Sequence, residues 1–260
     1  MDKKKQIKNI KLFVLDMDGT IYLGDSVLPG AIEFVQAARA SGRRVVFFTN
    51  NASRNPQNYV DKLDRMGFCA SRSDVVTAGD VTIEFLKRHR PGKKVYLVGT
   101  KALERSFIEN GIELSENADI VVTSFDTELT YEKLVIACGL IRGGAEYLCT
   151  HPDFNCPTET GFIPDSGSIA ALVTASTGVA PKYFGKPYRE TADMISELFG
   201  TPFNKTAVVG DRLYTDIALG KNNGILSILV LTGETRAEDV NEANAPDIIL
   251  DGIGDITKYF

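Results

Sequence analysis

Two aspartates, Asp16 and Asp18, flank Met17 and are followed by Gly19-Thr20, directly after the apolar run Leu12, Phe13, Val14 and Leu15. If that run is a strand, side chains two apart start out on the same side, so the two carboxylates face together. Their repulsion contributes nothing to folding. A cation, a bound substrate or a proton to be moved would account for the pair; a strand ending in a solvated Asp-Gly turn is the alternative. Other reactive groups follow apolar runs further along: Thr49-Asn50 after residues 45–48, and Asp211, with Asp216 nearby, after residues 206–209. Gly185-Lys186 stands before Pro187, which can open a helix. Acids, hydroxyl and amide donors and one fixed cation are what phosphoryl transfer needs. A carboxylate approaching a phosphate dianion meets repulsion of about 4 kcal/mol per charge pair at about 4 Å and an effective dielectric of about 20. One lysine offsets part of this, and a hard divalent cation held by Asp16 and Asp211 would offset the rest.

The elements that must position these groups alternate regularly. Strands are expected at residues 12–15, 45–48, 75–76, 95–98, 120–122, 147–149, 206–209 and 225–231, with an edge strand at 248–250. Helices are expected at 31–40, 56–66, 81–90, 103–110, 131–141, 166–177, 187–199 and 216–221. Strands apolar along their whole length, alternating with helices, indicate parallel sheet covered on both faces. In such sheets ligands sit beyond the carboxyl ends of the strands, where the reactive residues fall. The segment 151–165, with Pro152, Pro157, Pro164 and Gly161, reads as a loop.

Composition narrows the class. A length of 260 residues allows one large domain or two. A net charge of −5 leaves no basic footprint for nucleic acid. No stretch approaches the roughly 20 apolar residues of a membrane span, and no signal-peptide core follows Lys3-Lys4-Lys5. Cys69, Cys138, Cys149 and Cys156 form no CxxC pair, which suits reduced thiols in the cytoplasm. Two histidines, His89 and His151, argue against a His-rich metal site.

The motifs Asp16-Met17-Asp18-Gly19-Thr20, Thr49-Asn50-Asn51, Gly185-Lys186-Pro187 and Gly210-Asp211-Arg212-Leu213-Tyr214-Thr215-Asp216 together resemble the haloacid dehalogenase (HAD) superfamily. They occur in that family's order and span the chain. The long insert between the second and third motifs resembles the NagD/p-nitrophenyl phosphatase-like subfamily. The resemblance implies an α/β fold: a Rossmann-like three-layer core of residues 1–79 and 183–260, and a smaller inserted α/β cap of residues 80–182 that selects substrate. It implies a Mg²⁺-dependent phosphatase acting on small phosphomonoesters, and it is compatible with a homo-oligomer. Asp16 would be the nucleophile and Asp18 the general acid and base. Asp16, Asp211 and the Asp18 backbone carbonyl would hold the metal, supported by Asp216. Thr49, Asn50 and Lys186 would bind the phosphoryl group, and His151 and Asp153 fall where relatives place substrate loops. Plainer readings stand beside these: Thr49 as a turn residue, Lys186 as a solvated lysine, Asp216 as a helix cap, and His151 and Asp153 as surface loop. A dehalogenase would share the nucleophile but has no alkoxide for Asp18 to protonate. A receiver-type phospho-switch would lack the Asp-x-Asp-Gly-Thr order and the insert. A silent phosphate-binding relative would not need every catalytic position filled.

Overall fold

A computed structural model describes residues 3–158 and 161–260. The first strand, β1 (Leu12–Leu15), is followed by a small hairpin, β2 (Tyr22–Leu23) and β3 (Ser26–Val27), then α1 (Ala31–Ala40), β4 (Arg44–Thr49), α2 (Pro56–Arg65) and β5 (Val75–Thr77). Next come α3 (Ala78–His89), β6 (Val95–Val98), α4 (Lys101–Glu109), β7 (Ile120–Thr123), α5 (Tyr131–Arg142), β8 (Glu146–Cys149), β9 (Asn155–Thr158), β10 (Gly161–Pro164), α6 (Ser166–Thr177) and β11 (Lys182–Tyr183). The chain closes with α7 (Arg189–Phe199), β12 (Thr206–Gly210), α8 (Ala218–Asn223), β13 (Leu226–Val230) and β14 (Ile248–Leu250).

These elements gather into two units. One holds the chain up to Thr49 with Pro56–Val76 and Lys186–Phe260; the other holds Asn50–Asn55 and Thr77–Gly185. The first is built on a six-stranded sheet in the order β14-β13-β12-β1-β4-β5. The pairs β1–β12, β1–β4, β12–β13 and β13–β14 are parallel. Strand alternation supplies two apolar faces. Phe13 and Leu15 pack with Phe34 and Val35 of α1 and with Val45, Phe47, Val209 and Ile228. On the other face Val14 and Val208 line one small cavity together with Ala192 and Ile195 of α7 and Leu219 of α8. Helices on both faces make this a three-layer, Rossmann-like α/β core.

The second unit has its own parallel sheet, β11-β8-β7-β6. Val98, Val121 and Tyr147 of that sheet pack against Ala137, Cys138 and Ile141 of α5 and Ile169 and Val173 of α6. Its helices start on side-chain caps: Thr77, Thr100, Thr130 and Asp165 accept from the backbone N–H of Asp80, Leu103, Lys133 and Ser166. Each cap satisfies one of the donors a first helical turn leaves open.

Three local expectations change. The segment 151–165 contains the antiparallel hairpin of β9 and β10, with Ile163 opposite Cys156 and Pro164 opposite Asn155; its prolines and glycine had masked the strands. Glu159 and Thr160 of that segment lie outside the described residues. The helix expected from Pro187 begins at Arg189, because Tyr188 is extended (φ −75°, ψ 147°) and forms the N-cap. Asp216 is inside a π-helical turn, Leu213–Ile217, that precedes α8. No helix among the described residues is long and apolar enough to cross a membrane.

Candidate active site

Register brings the reactive residues of the first unit to one edge of its sheet. Leu15 pairs with Phe47 on one side and Val209 on the other. The strands therefore run out at one edge: Asp16 follows β1, Phe48-Thr49 are the last residues of β4, and Asp211 follows Gly210, the last residue of β12. The Asp16 N–H donates to Val209 O at 2.9 Å, extending the ladder by one residue. Met17 turns into the core, 2% exposed. Asp18 is exposed at the turn and bridges to Tyr22.

Lys186 links two acids. Its Nζ lies 2.5 Å from Asp16 Oδ1 and 2.6 Å from Asp216 Oδ1, with the lysine 3% exposed. Its ammonium also stands over the Phe48 ring at 5.3 Å. The reading of Lys186 as a solvated surface lysine does not describe this position. Asp216 Oδ2 accepts from the Arg212 backbone N–H at 3.3 Å and Thr215 Oγ1 at 3.4 Å. Asp211 is held from several sides. Its Oδ2 accepts from the Glu234 N–H at 2.7 Å, and its Oδ1 from Thr20 Oγ1 at 3.3 Å. The turn carrying Asp18 is pinned to the same place, since Thr232 Oγ1 donates to Gly19 O at 2.7 Å. Gly19 has φ +86°, and a Cβ there would lie 2.5 Å from Asp211 Oδ2, so only glycine brings this turn so close to the acid.

The acids Asp16, Asp211 and Asp216 can each offer one oxygen such that all three atoms lie within 4.8 Å of one another. Burial pushes Asp16 up to about 7; Lys186 pulls it down, while Asp216 and Asp211 add to the rise. Burial and Asp216 push Asp211 up to about 6. Three crowded, desolvated carboxylates with one lysine between them suit a hard divalent cation, because oxygen donors and negative charge are what such an ion takes. The Asp18 carboxylate is not part of this group.

Sequence reasoning passed over Arg212. Burial would lower the pKa of its guanidinium, but the charges of Asp16 and Asp211 outweigh that and raise it. Its Nε pairs with Glu234 Oε2 at 3.0 Å, and the Tyr214 hydroxyl donates to the same oxygen at 3.2 Å. Its position between two motif acids was a signal; its partner on a loop 22 residues on was not.

The remaining expected residues belong to different surroundings. Thr49 ends β4, half-buried. Asn50, grouped with the second unit, donates through Nδ2 to both carboxylate oxygens of Asp153, at 3.3 and 3.1 Å. His151 is fully buried there, with Nε2 2.8 Å from Asp165 Oδ1 and Nδ1 3.0 Å from Thr150 Oγ1.

A parallel α/β core with lysine-bridged acids beyond its strand ends defines a class of phosphoryl-handling enzymes, and comparison with known proteins gives the family. Residues 13–113 match the haloacid dehalogenase-like hydrolase family, and residues 183–256 match a HAD-hydrolase-like family. An acid sugar phosphatase of Staphylococcus aureus is 36% identical over 242 residues, 92% of this chain and 93% of that protein. The 5'-nucleotidase YutF of Bacillus subtilis is 34% identical over 255 residues, 97% of this chain and 100% of that protein. The crystal structure of a 4-nitrophenylphosphatase from Thermotoga maritima superposes with a TM-score of 0.93 at 48% identity, covering 97% of this chain and 98% of that one. The chain belongs to the haloacid dehalogenase superfamily, in its NagD-like branch. It is a phosphatase.

Proposed function

We propose that the chain hydrolyses small phosphomonoesters, sugar phosphates and nucleotides among them, through a phosphoryl group carried on Asp16. The observation that supports this best is the run of ion pairs from Asp16 through Lys186 to Asp216, with Asp211 beside it at the strand ends. An Asp16 carboxylate oxygen attacks phosphorus while the bond to the ester oxygen breaks. Asp18 gives a proton to the leaving oxygen. It then takes a proton from water, whose oxygen attacks the same phosphorus; the bond to Asp16 breaks and inorganic phosphate leaves. The Thr49 hydroxyl and the Asn50 backbone N–H donate to phosphoryl oxygens, and Lys186 balances their charge. Asp16, Asp211 and the Asp18 carbonyl would hold Mg²⁺, with Asp216 supporting them. The bound ion would neutralise charge on the transferring group. Residues 80–182 are assigned the choice of leaving group, and the enzyme is placed in the cytoplasm.

The test is turnover of p-nitrophenyl phosphate and a panel of sugar phosphates and nucleotides, with Mg²⁺ and with EDTA. Turnover is expected with the metal and not with the chelator; equal rates would remove the metal's role. Asp16→Asn is expected to lower kcat by a factor on the order of 10⁴ or more. Wild-type rates in that variant would refute the nucleophile.

A further inference from the structure

The chain passes between the two units at 49/50, 55/56, 76/77 and 185/186. Two of these crossings adjoin residues assigned above to the phosphoryl group: Asn50 follows Thr49, and Gly185 precedes Lys186. Within the second unit both crossings meet one loop, residues 150–153.

Asn50 is only 7% exposed, and its carboxamide is enclosed on two sides. Nδ2 donates to both Asp153 oxygens. Gly185 covers the Oδ1 side: a Cβ there would lie 2.8 Å from Asn50 Oδ1, 2.7 Å from His151 Cβ and 3.1 Å from Thr150 O, and its φ is +73°. The loop itself has little freedom. The Gly167 N–H donates to Asp153 O at 2.8 Å, the Asp165 N–H to Phe154 O at 2.9 Å, and the Phe184 N–H to Cys149 O at 2.9 Å. The buried His151 ring is held by Asp165, the N-cap of α6, and by Thr150, whose hydroxyl donates to Ser124 Oγ at 2.9 Å. The Asp153 backbone is thus held in place, and its carboxylate accepts from Asn50 Nδ2.

We propose that Asp153 is a positioning residue for phosphate: its carboxylate holds the Asn50 side chain, and through it the Asn50 backbone N–H, before substrate arrives. The inference rests on the reading of Asn50 as a phosphate donor given above. A donor already oriented loses less freedom on binding, so the gain belongs to the phosphate and not to the alcohol it is attached to. An Asp153 that instead touched the leaving group would act on some esters and not on others.

A double-mutant cycle separates these cases. Asp153→Ala and Asn50→Ala are each expected to raise KM about tenfold for every ester, and the dissociation constant of inorganic phosphate by the same factor, with kcat changed less than about threefold. The double variant is expected to be no worse than either single one, because one interaction is removed in all three. Asp153→Asn keeps an acceptor and is expected to restore most of the affinity. Additive single effects overturn the proposal. So does an Asp153→Ala variant that raises KM for one ester while phosphate affinity is unchanged. Phosphate titration by calorimetry needs no turnover, so a wild-type chain that hydrolyses nothing would sink the proposed function while the cycle still reads the contact. Amide exchange at Asn50 needs no ligand at all. It is expected to be about tenfold faster in Asp153→Ala, and unchanged exchange overturns the proposal.

Discussion

Lys186 is the residue on which the charge balance of the first unit depends. Burial would lower its pKa, but Asp16 and Asp216 on either side outweigh that and hold it above the usual lysine range. Replacing it with Met keeps the volume and removes the charge, leaving two buried carboxylates facing each other. Breaking a buried pair in this way costs about 3–5 kcal/mol. Urea unfolding of Lys186→Met in EDTA is expected to show a loss of that order, and a loss below about 1 kcal/mol would mean the acids are solvated. Mg²⁺ is expected to recover more stability in this variant than in the wild type, since the ion then has no ammonium to compete with. At this scale the sequence is informative where a reactive residue ends an apolar run. Asp16, Thr49 and Asp211 each follow one, so their common edge could be inferred from strand alternation alone. The partner of Asp216 could not. The acid that pairs with Lys186 is buried within a π-helical turn, and five residues of sequence do not distinguish that turn from the start of an α-helix. Arg212 was hidden for a similar reason, as the Glu234 that holds it comes from the loop after β13.

Helix starts and strand ends carry most of the local order in the second unit. Asp165 serves two elements at once: it caps α6 through the Ser166 N–H at 2.6 Å, and it holds the ring of His151 from the loop after β8. Asp165→Ala removes a cap, typically worth about 1 kcal/mol. It also leaves a buried ring nitrogen without its acceptor, at about 1–3 kcal/mol. A fall in stability of about 2–4 kcal/mol is expected in urea unfolding. Asp165→Asn keeps the cap and an acceptor and is expected to lose less than half of that; equal losses in the two variants would show that the cost lies elsewhere. The elements themselves were largely legible, because apolar runs and glycine stops recur with the period of a parallel α/β chain. The β9–β10 hairpin was not. Its strands are four residues each, β10 is exposed along its length, and Pro157 and Pro164 are poor strand signals.

Each of the two units has its own parallel sheet and its own apolar cluster, so a ligand of one need not stabilise the other equally. The grouping of Asn50–Asn55 with Thr77–Gly185 has no sequence signal. It follows from contacts such as Asn50 with Asp153, 103 positions apart, and Thr100 Oγ1 with Ser53 O at 2.8 Å. The three acids that suit a divalent cation all lie in the first unit, on segments joined to β1 and β12. Binding to the native state alone raises stability by RT ln(1 + [L]/Kd), about 2.7 kcal/mol at a hundred times Kd. That gain is available only to openings that disrupt the acids. Hydrogen exchange with and without saturating Mg²⁺ is therefore expected to slow markedly in β1, β12 and the turns after them. Exchange from β6, β7 and β8, which carry none of these acids, is expected to change far less. Uniform slowing across both sheets would mean that the units open only together, and no slowing in β1 and β12 would remove the acids as the metal's place.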